Sequence, residues 1–404
     1  MLVKNCKILD KGIERIVDIL IENEKIIKID KNIDRCDDTE VIDANKNFVL
    51  PGIVDLHTHM RDPGLSQKED FTTGSMACAK GGVTTFVDMP NTVPAVITEK
   101  ILDEKKEILK GKSYVDYGFN FGGSKNDNSS EICKVVDKVV ATKIFLNVST
   151  GDMLVTDENA IVNIFKNSKI VAVHAEGEMV KKAIEFAKKY NKPLYLCHLS
   201  TEEEVNFVRE AKKEGLEVYA EVTPHHLFLN DSDVNRNEKS KMLLRTKPEL
   251  KTKKDNEALW EGLRDGTIDT IGTDHAPHLI EEKLKKLTFG MPSVENSLEM
   301  MLKGVKENKI TLQRLIEVMS TSPAKIMKIK NKGKLEVGYD GDLVIVDIND
   351  STKIDKESLV TKANWTPYEG VVRGGKVLTT ILRGKKIYSD NKFYGINGRE
   401  ISYE

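Results

Sequence analysis

No apolar run in the 404-residue sequence approaches the roughly 20 residues a membrane-spanning helix needs, so no membrane span is expected. The N-terminus, Met1-Leu-Val-Lys-Asn-Cys6, lacks the basic-then-apolar pattern of a signal peptide, and a cytoplasmic location is expected. Cysteine is scarce: Cys6, Cys36, Cys78, Cys133 and Cys197 are scattered, odd in number and form no Cys-x-x-Cys pair. That excludes a disulfide framework and a structural thiolate zinc site. Charge of one sign is lacking too. With 62 basic and 64 acidic residues the net charge is −2, which gives no electrostatic case for nucleic acid or an anionic membrane as partner. No Gly-x-Gly-x-x-Gly follows a first strand, which counts against an open dinucleotide-binding sheet. There is no repeat of 20–50 residues and no low-complexity tract.

What is there divides into two textures. Residues 1–48 read as short strands with tight turns; Val17-Asp-Ile-Leu-Ile-Glu22 and Lys25-Ile-Ile-Lys-Ile-Asp30 alternate apolar and polar residues, as a half-solvated antiparallel sheet does. From residue 49 apolar strands alternate with charged amphipathic helices. Strands are expected at 52–59, 84–90, 114–121, 142–148, 170–175, 193–199, 217–223 and 268–273, and helices at 98–110, 178–190 and 201–213 among others. Parallel strands need crossover helices, and eight strand–helix units in one run point to a closed α/β barrel. Strand-and-turn texture returns near residue 335, in Gly341-Asp-Leu-Val-Ile-Val-Asp347 and Gly375-Lys-Val-Leu-Thr-Thr-Ile-Leu-Arg383. The expected architecture is thus a (β/α)8 TIM-like barrel over 49–335, with 1–48 and 336–404 meeting in one small β domain.

The first barrel strand runs into Pro51-Gly-Ile-Val-Asp-Leu-His-Thr-His-Met-Arg-Asp-Pro-Gly64, with Pro63 and Gly64 ending it. Alternate strand residues share a face, so His57 and His59 point together and can grip one metal ion, with Arg61 in the same parity. The alternative is a pair of core histidines bonded to backbone. Catalytic groups of such barrels sit at the carboxyl ends of the strands. All eight histidines fall there: His57, His59, His174, His198, His225, His226, His275 and His278. So do Asn91 and Asp274, and the fourth strand contains Lys143. Four histidines and an aspartate suit zinc or a similar borderline ion. Two such ions need a bridging anion, and strand four offers only Lys143. On the residues alone Lys143 reads as a charged group at an edge or rim; a lysine carbamate, which has two oxygens and a negative charge, is the alternative. His225, His226 and His275 read as structural or outer groups, with Asp88, Asp116 and Glu176 as candidate partners of metal-holding histidines. Glu281-Glu-Lys-Leu-Lys-Lys286 reads as a solvated face or loop.

Asp55-Leu-His-Thr-His-Met-Arg-Asp-Pro-Gly64 and Gly272-Thr-Asp-His-Ala-Pro-His278 resemble the two signatures of the dihydroorotase family, in the amidohydrolase superfamily. Met89-Pro-Asn-Thr92, Lys143-Ile-Phe-Leu-Asn147, His174-Ala-Glu176, Cys197-His-Leu-Ser-Thr201 and Glu221-Val-Thr-Pro-His-His-Leu227 extend the resemblance along nearly the whole chain. It implies a barrel with a small β-sandwich made from both chain ends. It also implies two zinc ions per subunit, bridged by carboxylated Lys143 and a hydroxide. His57 and His59 would hold one ion with Asp274, which is also the catalytic acid and base; His174 and His198 would hold the other. Lys143 matches the branch of the family with a carboxylated lysine, which reverses its reading as a rim residue. Arg61, Asn91 and His278 would bind the substrate's carboxylate and ring, and Phe289-Gly290 would touch the ring through backbone. Two departures bear on substrate contacts: Lys247-Pro-Glu249 replaces the usual Asn-Pro-Pro or Arg-Pro-Glu, and Thr288-Phe-Gly-Met-Pro-Ser-Val-Glu295 replaces a Pro-Gly-rich stretch. Lys247 can still pair with a carboxylate, without arginine's bidentate fork. Asn147-Val-Ser-Thr-Gly-Asp152 resembles a covering loop in which Ser149 and Thr150 would touch substrate.

The implied activity is reversible hydrolysis of the cyclic amide of (S)-dihydroorotate to N-carbamoyl-L-aspartate, a step of pyrimidine biosynthesis. Alternatives are a hydantoinase, dihydropyrimidinase or allantoinase, whose substrates generally lack the acid group, and a silent homologue acting as a scaffold. The expected partner is a small-molecule substrate; a homo-oligomer and an association with aspartate transcarbamoylase are further options.

Overall fold

The computed structural model describes residues 1–34, 39–149 and 151–403. Five strands open the chain: β1 (Leu2–Asp10), β2 (Ile13–Glu22), β3 (Lys25–Asp30), β4 (Val41–Asp43) and β5 (Phe48–Pro51). The hairpin between β2 and β3 turns on Asn23 and Glu24, both with positive φ (48° and 70°), the geometry that matches strand twist in a two-residue loop. The last strands are β15 (Leu343–Asp347), β16 (Lys376–Leu382), β17 (Lys385–Ser389) and β18 (Lys392–Phe393), numbered after the nine strand segments β6–β14 given below.

Both ends join one nine-stranded sheet in the order β18-β17-β16-β15-β5-β1-β2-β3, with β4 on β1. It is mixed rather than purely antiparallel, because β1 pairs in parallel with β4 and β5. Ile26 N donates to Tyr339 O and Gly338 N to Ile26 O, so the β3 edge turns back onto the segment before β15. The expected sandwich results, and Val3, Val17, Ile19, Ile21, Leu343, Ile345 and Ile381 enclose its core.

The barrel strands are β6 (Ile53–Thr58), β7 (Val83–Asp88), β8 (Asp116–Phe119) continued by β9 (Phe121–Gly122), β10 (Thr142–Phe145), β11 (Val171–His174), β12 (Leu194–Leu196), β13 (Val218–Val222) and β14 (Thr270–Ile271). All pair in parallel, and the ring closes where Thr58 bridges His275 and His59 N donates to His275 O at 2.8 Å. Every expected strand is present, each somewhat shorter than its apolar run, because residues beyond the ladder turn into the loops that carry the site. The first strand stops at Thr58, before His59, rather than at Pro63. Helices Glu99–Leu109, Glu178–Tyr190 and Glu202–Lys213 match the amphipathic segments, and Thr98 and Thr201 cap two of them with their hydroxyls.

Alternation decides what faces the barrel axis. Val171, Val173, Leu194, Leu196 and Ile144 pack outward under the helices. Ala172, Tyr195 and Cys197 belong to a separate core. Lys143 and His174 share the inward parity, so both point into the barrel. Asp55 locks the first strand to the last: it accepts from Thr273 N at 3.0 Å, Thr273 Oγ1 at 2.6 Å and His57 N at 3.1 Å.

Candidate metal centre and substrate cavity

His57 donates from Nδ1 to Glu221 Oε1 at 2.7 Å, and His59 donates from Nδ1 to Asn91 Oδ1 at 2.8 Å. Each ring's Nε2 therefore keeps its lone pair. Those lone pairs lie 3.3 Å and 3.0 Å from Asp274 Oδ1. Two imidazole lone pairs and a carboxylate oxygen converge, which is unfavourable unless a cation or proton sits among them. Burial works against ionisation here, but the two histidines hold the Asp274 carboxyl well below the usual carboxylate range. Burial likewise works to discharge His57, yet Glu221 and Asp274 outweigh it and raise its pKa; the negative charge that favours a proton there favours a metal ion equally.

The second pair faces inward beside the first. His174 Nδ1 lies 3.0 Å from His198 Nε2, and the His198 ring centroid is 5.2 Å from that of His57. His174 Nε2 and His198 Nδ1 are buried without a hydrogen-bond partner among the described residues. Burial, reinforced by Lys143, lowers His174 to about 3; burial also lowers His59, to about 4, with Arg61 and His57 adding to it. Neutral imidazoles are what metal coordination needs. Lys143 is wholly buried rather than at a rim, its Nζ 2.8 Å from Cys197 Sγ and 5.1 Å from the Phe145 ring centroid. No carboxylate among the described residues forms an ion pair with it. A fully buried ammonium with no counter-ion is costly, which fits a lysine converted to an anion. His57, His59 and Asp274 form one group able to hold a metal, and His57, Cys197 and Glu221 a second.

Arg61, His198 and Asp274 all have positive φ (61°, 39° and 44°), which L-residues adopt only when the surroundings impose it.

Beside the histidines a small cavity is lined by His59, Arg61, Asn91, Asp274, Lys247, Phe289, Gly290, Ser149, Thr246 and Ala276. Five of the six expected substrate contacts thus line it. The sixth, His278, stands behind Arg61, 3.2 Å from its guanidinium. Lys68 Nζ lies 3.2 Å from His278 Nδ1, and Phe289 O lies 3.0 Å from His278 Nε2. Arg61 is buried, bonded through Nε to Pro277 O at 3.2 Å, and makes no ion pair among the described residues. Burial pulls its pKa down to about 10, so it stays charged at neutral pH. Lys247 lies 3.1 Å from Glu249 and 5.6 Å from the Phe289 ring centroid. Ser149 of the expected covering loop borders the cavity; Thr150 lies outside the described residues.

Three sequence readings need correction. The carboxylate that orients a metal-holding histidine is Glu221, not Asp88, Asp116 or Glu176. Glu221 also accepts from His198 N at 3.0 Å and from Tyr195 Oη at 2.8 Å. Asp88 instead binds Met60 N and Lys105, Asp116 pairs with Lys332 at 2.6 Å beside the end sheet, and Glu176 stays 3.8 Å from His174. Glu221 was legible only as part of a motif, since its partner lies 164 residues away. Thr246 and Ala276 were missed as cavity residues; each neighbours a singled-out position, which was the only signal. Finally, Lys283 of the charged segment 281–286 is buried. Glu221→Gln keeps the shape but weakens the hold on His57, so metal affinity should fall about 10–100-fold. Metal retained against graded chelator, at unchanged helix content, measures this.

A model of the amidohydrolase family matches residues 48–387. This chain belongs to the amidohydrolase family. Among its relatives, a dihydroorotase from Methanosphaera stadtmanae is 37% identical over 438 residues, covering 99% of both chains. A dihydroorotase from Pyrococcus horikoshii is 38% identical over 400 residues, covering 95% of this chain and 91% of the relative. An L-hydantoinase structure from Arthrobacter aurescens superposes with a TM-score of 0.91 at 28% identity over 99% of each chain. The resemblance read from the sequence is thereby borne out, and the barrel with its appended sandwich is the amidohydrolase arrangement. No helix among the described residues is long and apolar enough to cross a membrane.

Proposed function

We propose that the chain is a dihydroorotase, which hydrolyses the cyclic amide of (S)-dihydroorotate reversibly to N-carbamoyl-L-aspartate. The observation that carries this is Arg61. A buried, charged guanidinium without an ion-pair partner among the described residues borders the cavity beside Asp274, placed to meet an anionic ligand. Dihydroorotate brings a carboxylate; hydantoins and dihydropyrimidines generally do not. The full-length similarity to dihydroorotases supports the same choice over the hydantoinase reading that the structural neighbour suggests.

The residues fit a metal. His57, His59 and Asp274 would hold one zinc, His174 and His198 a second, and a carbamate on Lys143 would lie between them. When bound, the ions would acidify water and polarise the scissile carbonyl. Asp274 takes the proton from the attacking water on its carboxylate and delivers it to the leaving ring nitrogen; in ring closure it takes the ureido proton instead. Arg61 and Asn91 hold the exocyclic carboxylate, while Lys247, Phe289 and Gly290 bound the ring, with His278 bracing Arg61. Residues 1–51 and 336–404 form a supporting β domain, its boundary moved from 48 because β5 (Phe48–Pro51) pairs with β15 in the end sheet, and the residues from there to 335 form the barrel that does the chemistry.

Purified, metal-replete protein should turn over dihydroorotate in a spectrophotometric assay far faster than a neutral hydantoin. The reverse preference would sink the assignment. His57→Ala should lose metal and turnover together while circular dichroism stays native.

A further inference from the structure

Lys283 lies on the short helix Ile280–Lys285 after the last barrel strand and is wholly buried. Its Nζ donates to Arg245 O at 2.6 Å, Gly290 O at 3.0 Å and Thr288 O at 3.4 Å. An ammonium has three donors, and three carbonyls use them all. No carboxylate pairs with it among the described residues. The charged and titratable groups facing it are Arg245, Arg61, His225 and His278, all cationic when protonated. A buried cation among cations is an expensive way to hold a loop.

The carbonyls it gathers belong to two segments that line the substrate cavity. One runs through Arg245, Thr246 and Lys247; the other through Thr288, Phe289 and Gly290. They touch once more directly, where Gly290 N donates to Arg245 O at 3.1 Å. Arg245 O therefore accepts from both Lys283 and Gly290. Without Lys283, that backbone bond and the Lys247–Phe289 ring contact would be left to carry the link. His278 Nε2 lies 3.0 Å from Phe289 O and 3.2 Å from Arg61 Nη2, so the same wall packs against the residue behind Arg61.

We propose that Lys283 is a positioning residue for substrate binding, its ammonium fastening the 245–247 and 288–290 segments into one wall of the cavity. This rests on the dihydroorotase reading for its kinetic test, but the fastening itself does not. Burial, with Arg245 and Arg61 adding to it, lowers the Lys283 pKa to about 7. Its neutral form has two donors and must release one carbonyl, so the wall loosens as pH rises through that value.

The test compares wild type with Lys283→Met and Lys283→Arg, all metal-loaded. In Lys283→Met, KM for dihydroorotate should rise about tenfold while kcat changes less than about threefold, the split of lost ground-state positioning. Hydrogen exchange in peptides covering 244–248 and 286–292 should quicken about tenfold, with metal content and exchange elsewhere unchanged. Wild-type KM should climb above about pH 7, and Lys283→Arg, which stays charged, should lack that climb. If Lys283→Met does not fold, the wild-type and Lys283→Arg pH profiles decide. Unchanged KM and exchange in Lys283→Met, a fall in kcat with lost metal, or a flat wild-type profile each overturns the proposal. If wild type turns over no dihydroorotate, the functional assignment fails, and the exchange measurement still decides whether Lys283 fastens the wall.

Discussion

Lys143→Ala should lower kcat/KM for dihydroorotate about a thousandfold or more, within the range that removing a directly acting group costs. The side chain points along the barrel axis, is wholly buried, and has a thiol and an aromatic ring as its nearest partners instead of a carboxylate. A second dication beside His174 and His198 needs an anion that no Asp or Glu of β10 provides. The Lys143 ammonium must lose one proton to become the amine and a second as its nitrogen adds CO2, and these two losses turn the cation into that anion. A carbamate is labile in water, so metal should be required to keep it. The variant should therefore bind the second ion weakly, and short carboxylic acids should restore part of the rate by filling the gap. Intact mass of metal-loaded wild type should show the increment of one CO2, lost when metal is stripped. A bare ammonium at Lys143 in active enzyme with both metal sites filled would refute the carbamate.

The second large effect is at Arg61. Paired with a carboxylate in a closed cavity it should contribute about 2–5 kcal/mol, as truncated buried charge pairs do. Arg61→Ala should then lose roughly 30-fold to several thousandfold in kcat/KM for dihydroorotate. Lys in its place should recover part of that, because a single ammonium keeps the charge but not the fork. Residual turnover of an uncharged hydantoin should barely move. Equal losses on both substrates would show that Arg61 supports the strained turn after His59 rather than the ligand.

Much of this site was legible before any coordinates. His57 and His59 two residues apart, histidines after successive apolar runs, and Asp274 in its own motif follow from strand parity and the rule that barrel chemistry sits at strand ends. The hairpin at Asn23–Glu24 and the helices after Thr98 and Thr201 are likewise local, so residue type and spacing were enough to place them.

The partners of those residues were not legible. Glu221 and His57 are 164 positions apart, and only the order and register of parallel strands bring them together. Lys332 is an exposed-looking lysine by composition, yet it is buried among Asp116, Asp340 and Asp342 where the end sheet meets the barrel. Lys283 sits in a run of charged residues whose pattern speaks for solvent; tertiary structure buries it against the carbonyls of Arg245, 38 positions away, and of Thr288 and Gly290. Sequence by itself determined the kinds of ligand, the strand that bears each, and the family. Tertiary structure alone decided which carboxylate orients which histidine, that Arg61 meets the cavity without a counter-ion among the described residues, and which lysines lose water. Periodicity records whether a residue is buried within its own element; who its neighbour is depends on closure of the barrel.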